Sequence, residues 1–174
     1  GKTQHDTING IYILGNLNWL KKQSNLCLAL GIANPQVKAE IVNKLKENAF
    51  TWPNLIHPSV QIHHSAFVKM GKGNIITAGN ILTVNINIGS FNLINLSCTI
   101  GHDAFLGSFC SIMPGVNISG GAQLKDKVYV GTGAKLIKAT TLHHNCRIGA
   151  GAVVNTDVPS EETWVGIPAK KIST

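Results

Sequence analysis

Residues 94–112, which read INLSCTIGHDAFLGSFCSI, carry an aliphatic residue at every sixth position. A period of six fits neither an α-helix, with 3.6 residues per turn, nor a simple strand, whose side chains alternate. It is typical of a parallel β-helix built from hexapeptides, and it predicts a mainly β protein. The spacing holds without exception over fourteen positions: Ile76, Leu82, Ile88, Ile94, Ile100, Leu106, Ile112, Ile118, Leu124, Val130, Leu136, Leu142, Ile148 and Val154.

A second column of residues lies four positions after each aliphatic residue, and from Cys98 onward it is small or β-branched. It contains Cys98, Ala104, Cys110, Val116, Ala122, Val128, Ala134, Thr140, Cys146 and Ala152. Three hexads should close one triangular coil, so that residues eighteen apart stack at the strand-pairing distance of about 4.8 Å. Glycines directly follow several aliphatic residues, and we expect turns with positive φ at them. They are Gly89, Gly101, Gly107, Gly131 and Gly149.

The first third of the chain lacks this period and predicts a small, incomplete, Rossmann-like α/β domain over residues 1–57. The apolar run at residues 26–30 predicts a parallel strand that is covered on both faces. Asn34 is a good N-cap, and Pro35 suits the first turn of a helix that continues to about Asn48. Val37 lies on the apolar face expected for that helix. A further strand is predicted at Leu55–Ile56.

The second predicted unit, residues 58–174, is the β-helix with a C-terminal tail. Residues 59–75 predict an irregular first coil, with Ile62 in the small column and His64 in the aliphatic column. The sequence Asp-Val-Pro at residues 157–159 is expected to break the solenoid. Trp164, in the tail, is a candidate for covering the last coil, because an open sheet edge invites aggregation.

The composition of the chain limits the classes of partner that it can bind. The 174 residues are 44% hydrophobic and 13% charged, with a formal net charge of +7. A basic surface is either solvated or attracts a phosphate-bearing ligand, but scattered lysines with few aromatic residues argue against nucleic acid. Neither a signal peptide nor an apolar run of membrane-spanning length is found, so we expect a cytoplasmic protein without a membrane partner.

The four cysteines do not form a disulfide or zinc pattern. Cys98, Cys110 and Cys146 occupy the small column and should behave as small buried hydrophobic residues. Cys27 lies outside the repeat and has no C-x-x-C partner. We therefore expect no metal ion to be held by cysteine.

His102 and Asp103 are the candidate catalytic residues. They follow Gly101 at a predicted corner, so their side chains should point away from the interior. Adding eighteen places Gly120 and Gly121 above them and predicts open space beside the imidazole. A histidine oriented by a carboxylate is suited to general base catalysis, although a solvated surface histidine has the same spacing.

The repeat array resembles the hexapeptide-repeat acyltransferases with left-handed β-helices. It is closest to the branch of sialic acid O-acetyltransferases and UDP-amino-sugar N-acetyltransferases. The motifs that carry this resemblance are IGHD at residues 100–103, PGVNISG at 114–120, VGTGA at 130–134, IGAGAVV at 148–154 and VGIPAK at 165–170. Upstream, GIAN at residues 31–34 and LIHP at 55–58 also match.

The resemblance implies a homotrimer that transfers acetyl from acetyl-CoA to an amine or hydroxyl of a sugar, either a nucleotide-linked amino sugar or sialic acid. His102 would be the general base and Asp103 would tune it, without a covalent enzyme intermediate. Cofactor contacts fall on Ser111, Thr132 and Ala150. Substrate contacts fall on Ala33 and Asn34 of the sugar-nucleotide domain, although that domain lacks its Gly-rich opening turn here.

Two other functions remain open from the sequence. One is a zinc enzyme like the γ-type carbonic anhydrases, for which His63, His64, His102, His143 and His144 are available ligands. However, His143 and His144 lie 41 and 42 residues beyond His102, so they do not stack with it. The other is a trimeric scaffold without catalysis.

Overall fold

The computed structural model describes residues 7–172, and most of these wind into a left-handed parallel β-solenoid of about six turns. Before the solenoid come a hairpin of strands β1 (Thr7–Ile8) and β2 (Ile11–Tyr12), a short helix α1 (Leu17–Leu20) and the ten-residue helix α2 (Pro35–Lys44). No helix among residues 7–172 is long and apolar enough to cross a bilayer.

The solenoid has three faces, named here by their number of strands. In chain order, the strands of the eight-stranded face are β3 (Leu55–Ile56), β6 (Ile75–Ile76), β9 (Leu93–Ile94), β12 (Ser111–Ile112), β15 (Tyr129–Val130), β18 (Arg147–Ile148), β20 (Thr163–Val165) and β21 (Lys170–Lys171). All neighbours on this face pair in parallel except β20 and β21, which are antiparallel.

The other two faces are wholly parallel. The six-stranded face contains β4 (Gln61–Ile62), β7 (Ile81–Leu82), β10 (Thr99–Ile100), β13 (Asn117–Ile118), β16 (Lys135–Leu136) and β19 (Val153–Val154). The five-stranded face contains β5 (Val68–Met70), β8 (Ile86–Ile88), β11 (Phe105–Leu106), β14 (Gln123–Leu124) and β17 (Thr141–Leu142). A short 3-10 helix, η1 (Ser65–Phe67), precedes β5.

The two sequence columns form the core, as predicted. Every aliphatic residue from Ile76 to Val154 is at most 4% exposed, and every small-column residue from Cys98 to Ala152 is at most 5% exposed. Ile100 pairs with Ile118 in the next coil, which confirms the spacing of eighteen. Burial of this aliphatic stack stabilises the solenoid by about 25 cal/mol for each Å² of apolar surface removed from water.

The glycines that follow aliphatic residues are not there for the predicted reason, which was a turn with positive φ. Gly101 and its equivalents do not have positive φ. That conformation falls two residues later, as at Asp103 (φ +60°) after Gly101 and at Gly133 (φ +71°) after Gly131. Gly101 is required by space instead. A Cβ there would lie 2.6 Å from the backbone nitrogen of Gly120 in the next coil, closer than any real contact.

Buried asparagines replace small residues at the start of the second column. Asn92 donates from Nδ2 to Asn74 Oδ1 at 3.0 Å and to the Gly107 carbonyl at 2.9 Å, and its Oδ1 accepts the Cys110 N–H at 2.7 Å. This ladder satisfies polar groups that are buried at the corner. Buried amides are tolerated because every partner is present.

The register of the first coil differs from the prediction. Ile62 pairs with Leu82, twenty residues away, and therefore lies in the aliphatic column rather than the small one. His64 occupies the N-cap position of η1 without a capping hydrogen bond from its side chain, and it is exposed instead of entering the core. This spacing of twenty exceeds the regular eighteen by two residues. The two residues lie between β4 and β5, where η1 lengthens the corner.

Residues 157–159 do not break the solenoid. Val158 is fully buried and pairs with Leu142, sixteen residues away, so the corner is shortened by two residues and the coil continues. Trp164 then pairs with Ile148 and packs against the core. Trp164 therefore takes an aliphatic-column position in the last coil, with the indole nitrogen donating to Glu162 at 2.8 Å.

The segment before the solenoid departs from the prediction at three points. Residues 26–30 contain only an isolated bridge between Cys27 and Thr51, and their burial alternates, so this run is not covered on both faces. Helix α2 has the predicted Asn34 cap but ends at Lys44, before Asn48, and it buries Pro35 and Lys38 rather than Val37. Strand β3 pairs with β6 and is thus part of the solenoid. The division at residue 57 stays a prediction.

Candidate active site

His102 and Asp103 lie at the corner where the six-stranded face meets the five-stranded face, called here the His102 corner. Strand β10 ends at Ile100 and β11 begins at Phe105, so the two residues occupy the tight turn between them. Asp103 has φ +60°, a left-handed conformation that a short polar side chain tolerates. Both side chains point to solvent, with exposed fractions of 57% and 56%.

The imidazole and the carboxylate are in direct contact. His102 Nδ1 lies 2.6 Å from Asp103 Oδ2. The hydrogen bond from His102, followed by one from Asn85, lowers the pKa of the Asp103 carboxyl below its ordinary value. An ionised carboxylate only accepts, so Nδ1 carries the proton in this pair. The neutral ring is left with a lone pair on Nε2, the atom that could accept a proton.

Gly120, one coil above His102, determines where the ring can lie. A Cβ on Gly120 would lie 2.5 Å from Nε2 and 2.7 Å from Cε1 of His102. The imidazole therefore fills the space that the sequence predicted to be open. The carbonyl of His102 also accepts the Gly121 N–H at 2.8 Å, which anchors the turn to the next coil.

Asn85 is a part of this corner that the sequence analysis missed. It lies eighteen residues before Asp103 and donates from Nδ2 to Asp103 Oδ1 at 3.1 Å. Each carboxylate oxygen of Asp103 thus has its own partner. The spacing of eighteen, applied backward from Asp103 as it was applied forward, would have found this residue.

The residues expected to contact the cofactor do not lie together. Thr132 and Ala150 are exposed and stacked at the corner between the eight-stranded and six-stranded faces, where Gly151 N donates to the Thr132 carbonyl at 2.8 Å. One face of the prism separates this Thr132 corner from His102. Ser111 is 0% exposed and its Oγ has no hydrogen-bond partner. The role of Ser111 in contacting the cofactor stays a prediction.

The expected substrate-binding residues lie at the start of helix α2. Ala33 is exposed. Asn34 Oδ1 accepts the N–H groups of Gln36 at 3.0 Å and Val37 at 3.2 Å, so this oxygen is engaged in capping the helix. The role of both residues in binding a substrate stays a prediction.

The buried cysteines are unsuited to nucleophilic catalysis. Burial raises the pKa of Cys110 and of Cys146 to about 12, and it also raises the pKa of Cys98. A thiol attacks as its thiolate, so these three residues are unreactive near neutral pH. This agrees with their predicted role as packing residues.

Residues 7–172 contain no group of three or more His, Cys, Asp or Glu side chains close enough to hold a metal ion. His144 has a different role, because its Nδ1 accepts the Asp126 N–H at 3.3 Å. Within one chain, these histidines thus offer no support for the zinc-enzyme alternative.

No protein-family model matches the chain, but curated proteins do. Serine acetyltransferase from Synechococcus elongatus is 36% identical over 121 residues, which cover 65% of this chain and 42% of that protein. GDP-perosamine N-acetyltransferase from Escherichia coli is 25% identical over 176 residues, covering 95% of this chain and 76% of that protein. The chain thus spans less than half of the first relative and about three quarters of the second.

Solved structures match over nearly the whole chain. A mutant of perosamine N-acetyltransferase from Caulobacter crescentus, in complex with CoA and GDP-perosamine, has a TM-score of 0.90 and 27% identity, covering 97% of this chain and 81% of that one. The acetyltransferase domain of PglB from Neisseria gonorrhoeae, in complex with acetyl-CoA, has a TM-score of 0.90 and 26% identity, covering 99% and 84%.

Proposed function

Because the chain belongs to the hexapeptide-repeat acyltransferases, we propose that it transfers acetyl from acetyl-CoA to the amino group of a nucleotide-linked amino sugar. The observation that carries this proposal is the contact between His102 Nδ1 and Asp103, which leaves Nε2 available as a base on an exposed corner. A scaffold without catalysis gives no reason for a corner glycine that makes room for one imidazole.

The proposed reaction is a direct transfer. The acceptor amine attacks the thioester carbonyl while His102 Nε2 takes its proton, and a carbon–nitrogen bond forms as the carbon–sulfur bond breaks. The departing thiolate of CoA then takes this proton from the His102 imidazolium, which regenerates neutral His102. Asp103 stabilises the imidazolium between these steps, because its carboxylate faces Nδ1 at 2.6 Å. No covalent enzyme intermediate is required.

The placement of the two corners supports a site shared between subunits of a homotrimer. Thr132 and Ala150 form an exposed column that suits a long ligand lying along the prism, yet His102 lies one face away in the same chain. If the Thr132 corner of one subunit faces the His102 corner of its neighbour, the two halves meet. Lys170, exposed in β21, and Lys171, ion-paired to Glu162 at 2.8 Å, are cations that CoA phosphates could reach.

A nucleotide-linked amino sugar is the acceptor that the solved relatives favour, since the Caulobacter protein was captured with GDP-perosamine and CoA. The match to serine acetyltransferases favours a hydroxyl acceptor as the second candidate. Sialic acid would belong to that second class. The same base serves both acceptors, because an amine and a hydroxyl each lose one proton during attack.

Release of CoA thiol tests the proposal. Purified protein would be incubated with acetyl-CoA and each of three acceptor classes: nucleotide-linked 4-amino sugars, free or nucleotide-linked sugars without an amine, and L-serine. We expect thiol release and an N-acetylated product, identified by mass spectrometry, with the first class. Release only with hydroxyl acceptors would replace the proposal by O-acetylation, and release with none would reject the enzymatic function.

A further inference from the structure

Asn85 has a place at the His102 corner that packing alone does not explain. Its amide nitrogen donates to Asp103 Oδ1 at 3.1 Å, while Asp103 Oδ2 takes the hydrogen bond to His102 at 2.6 Å. The three side chains therefore form a line that begins one coil below the imidazole. Asn85 is exposed, as are His102 and Asp103, so the line lies on the surface and not in the core.

The backbone fixes Asn85 in this position. Asn85 has φ +56° and Asp103 has φ +60°, so both residues occupy the left-handed position of successive stacked turns. Asp103 N donates to the Val84 carbonyl at 3.1 Å, which locks the two turns together. Asparagine is among the few residues that tolerate this conformation while offering a hydrogen-bond donor.

The hydrogen bond from Asn85 matters because the side chain of Asp103 could otherwise rotate among several rotamers. A carboxylate that is 56% exposed on a tight turn has several rotamers open to it, and only some present an oxygen to His102 Nδ1. A second hydrogen bond, to the other oxygen, removes that freedom. An amide N–H also favours the ionised carboxylate, in accord with the lowered pKa of Asp103.

We propose that Asn85 is a positioning residue that orients the Asp103 carboxylate and so keeps the proton of neutral His102 on Nδ1, with Nε2 free. This inference deepens the proposed acetyltransferase function and rests on it. Asn85 touches neither the imidazole nor, in this arrangement, the reacting atoms. Its effect passes through Asp103 alone.

The chain contains a matched control for Asn85. Asn145 also lies in a left-handed turn, with φ +62°, and its amide donates to the Glu161 carboxylate in the next coil. This second pair lies at a different corner, between the five-stranded and eight-stranded faces. Asn145→Ala thus removes the same kind of bond away from His102, together with the bond that Asn145 Oδ1 accepts from Gln36 Nε2 at 2.6 Å.

The test compares Asn85→Ala with Asn145→Ala by steady-state kinetics and by NMR of histidine labelled with 15N. We expect Asn85→Ala to lower kcat by about tenfold, in the range for loss of an outer hydrogen-bond partner, with KM for acetyl-CoA unchanged. Asn145→Ala should leave kcat unchanged. Asn85→Asp, which keeps the shape and the tolerance for positive φ but replaces the donor by a carboxylate that repels Asp103, should lower kcat at least as much as Asn85→Ala.

A double-mutant cycle shows whether Asn85 acts through Asp103. In an Asp103→Asn background, Asn85→Ala should cause no further loss, since the two residues form one unit. Equal losses in both backgrounds, or a kcat within twofold of wild type, would overturn the inference.

The NMR measurement needs no acceptor and so separates this inference from the proposed function. His102 should hold its proton on Nδ1 in the wild type and populate both tautomers in Asn85→Ala. An unchanged tautomer in the variant would overturn the role of Asn85 even if acetyl transfer is observed. If the wild type transfers no acetyl group, the proposed function is rejected. The tautomer measurement still shows whether Asn85 orients Asp103.

Discussion

Gly120 shows how one missing side chain determines where the imidazole of His102 can lie. The ring of His102 lies against its Cα, and an added Cβ would lie 2.5 Å from Nε2. Gly120→Ala should therefore displace the imidazole rather than unfold the coil, because φ at Gly120 is not positive and the obstructing atoms belong to an exposed side chain. We expect kcat to fall by about 10- to 100-fold, as for a catalytic group moved by about 1 Å.

The measurement for Gly120→Ala is kcat together with the thermal midpoint. Gly31→Ala is its control, since a Cβ at Gly31 meets nothing within 4 Å. Both variants should keep a midpoint near that of the wild type. Full activity in Gly120→Ala would show that the imidazole position seen here is not the catalytic one.

At the scale of elements, helix α2 contacts the solenoid through a buried lysine. Lys38 is 1% exposed and donates from Nζ to the Cys110 carbonyl at 2.8 Å. Burial lowers the pKa of Lys38 from 10.5 to about 8. The buried thiols, whose pKa is raised, make the free energy of unfolding fall with pH above about pH 9. Lys38 has the opposite effect: between pH 8 and 10.5 its amine binds fewer protons in the folded protein than in the unfolded chain, so its own contribution to the free energy of unfolding rises with pH.

Lys38→Met should remove this rise. At pH 7 the lysine is charged in both states, and the cost of burying the ammonium is of the order of 3 kcal/mol at about 1.4 kcal/mol per pKa unit. The variant should therefore be more stable than wild type at pH 7, by about 1–3 kcal/mol.

Denaturant unfolding at pH 7 and pH 10 measures this difference. The control is Lys44→Met, which changes an exposed lysine of the same helix and should leave the pH dependence in place. If the difference in stability between Lys38→Met and wild type is the same at both pH values, Lys38 does not contribute to the pH dependence.

The regular coils could be predicted from sequence because one position in six has a single physical requirement. Each aliphatic residue faces the same interior, so the period fixes the strands, the register and the corner that carries His102. Departures from the period could not be predicted in the same way. The two residues added between Ile62 and Met70, and the two missing before Val158, change corner lengths without changing hydrophobicity.

Contacts between side chains at the site were only partly predictable. Spacing placed Asp103 beside His102 but could not say that the carboxylate turns toward Nδ1. It placed Gly120 above the imidazole but could not say that the ring would occupy the vacant space. The cofactor contact of Ser111 was predicted from a family resemblance. The burial of Ser111 depends on three-dimensional packing that the six-residue period does not show.

At the scale of the whole molecule, the separation of the two corners predicts complementation between subunits. His102→Ala removes the proposed base and Ala150→Trp blocks the Thr132 corner, so we expect each variant alone to be inactive. If sites form between subunits, mixed trimers contain some interfaces where both halves are intact. Random mixing of equal amounts should restore about a quarter of wild-type activity.

The experiment needs dissociation and reassembly of the two variants, followed by the thiol-release assay. Mixing His102→Ala with Asp103→Asn is the control, because both changes lie at the His102 corner and no mixed interface is intact. Activity in the control mixture would point to an artefact of exchange. Verified exchange without recovery for Ala150→Trp would show that each chain holds a complete site.

The general base role of His102 is the central claim, and one comparison tests it most directly. It is the kcat/KM of wild type and of His102→Ala for an amino-sugar acceptor that the wild type accepts, with circular dichroism and oligomer mass measured on both proteins. We expect a loss of about 10²- to 10⁴-fold in His102→Ala, with fold and mass unchanged. A loss of less than about threefold, far below that range, would contradict it.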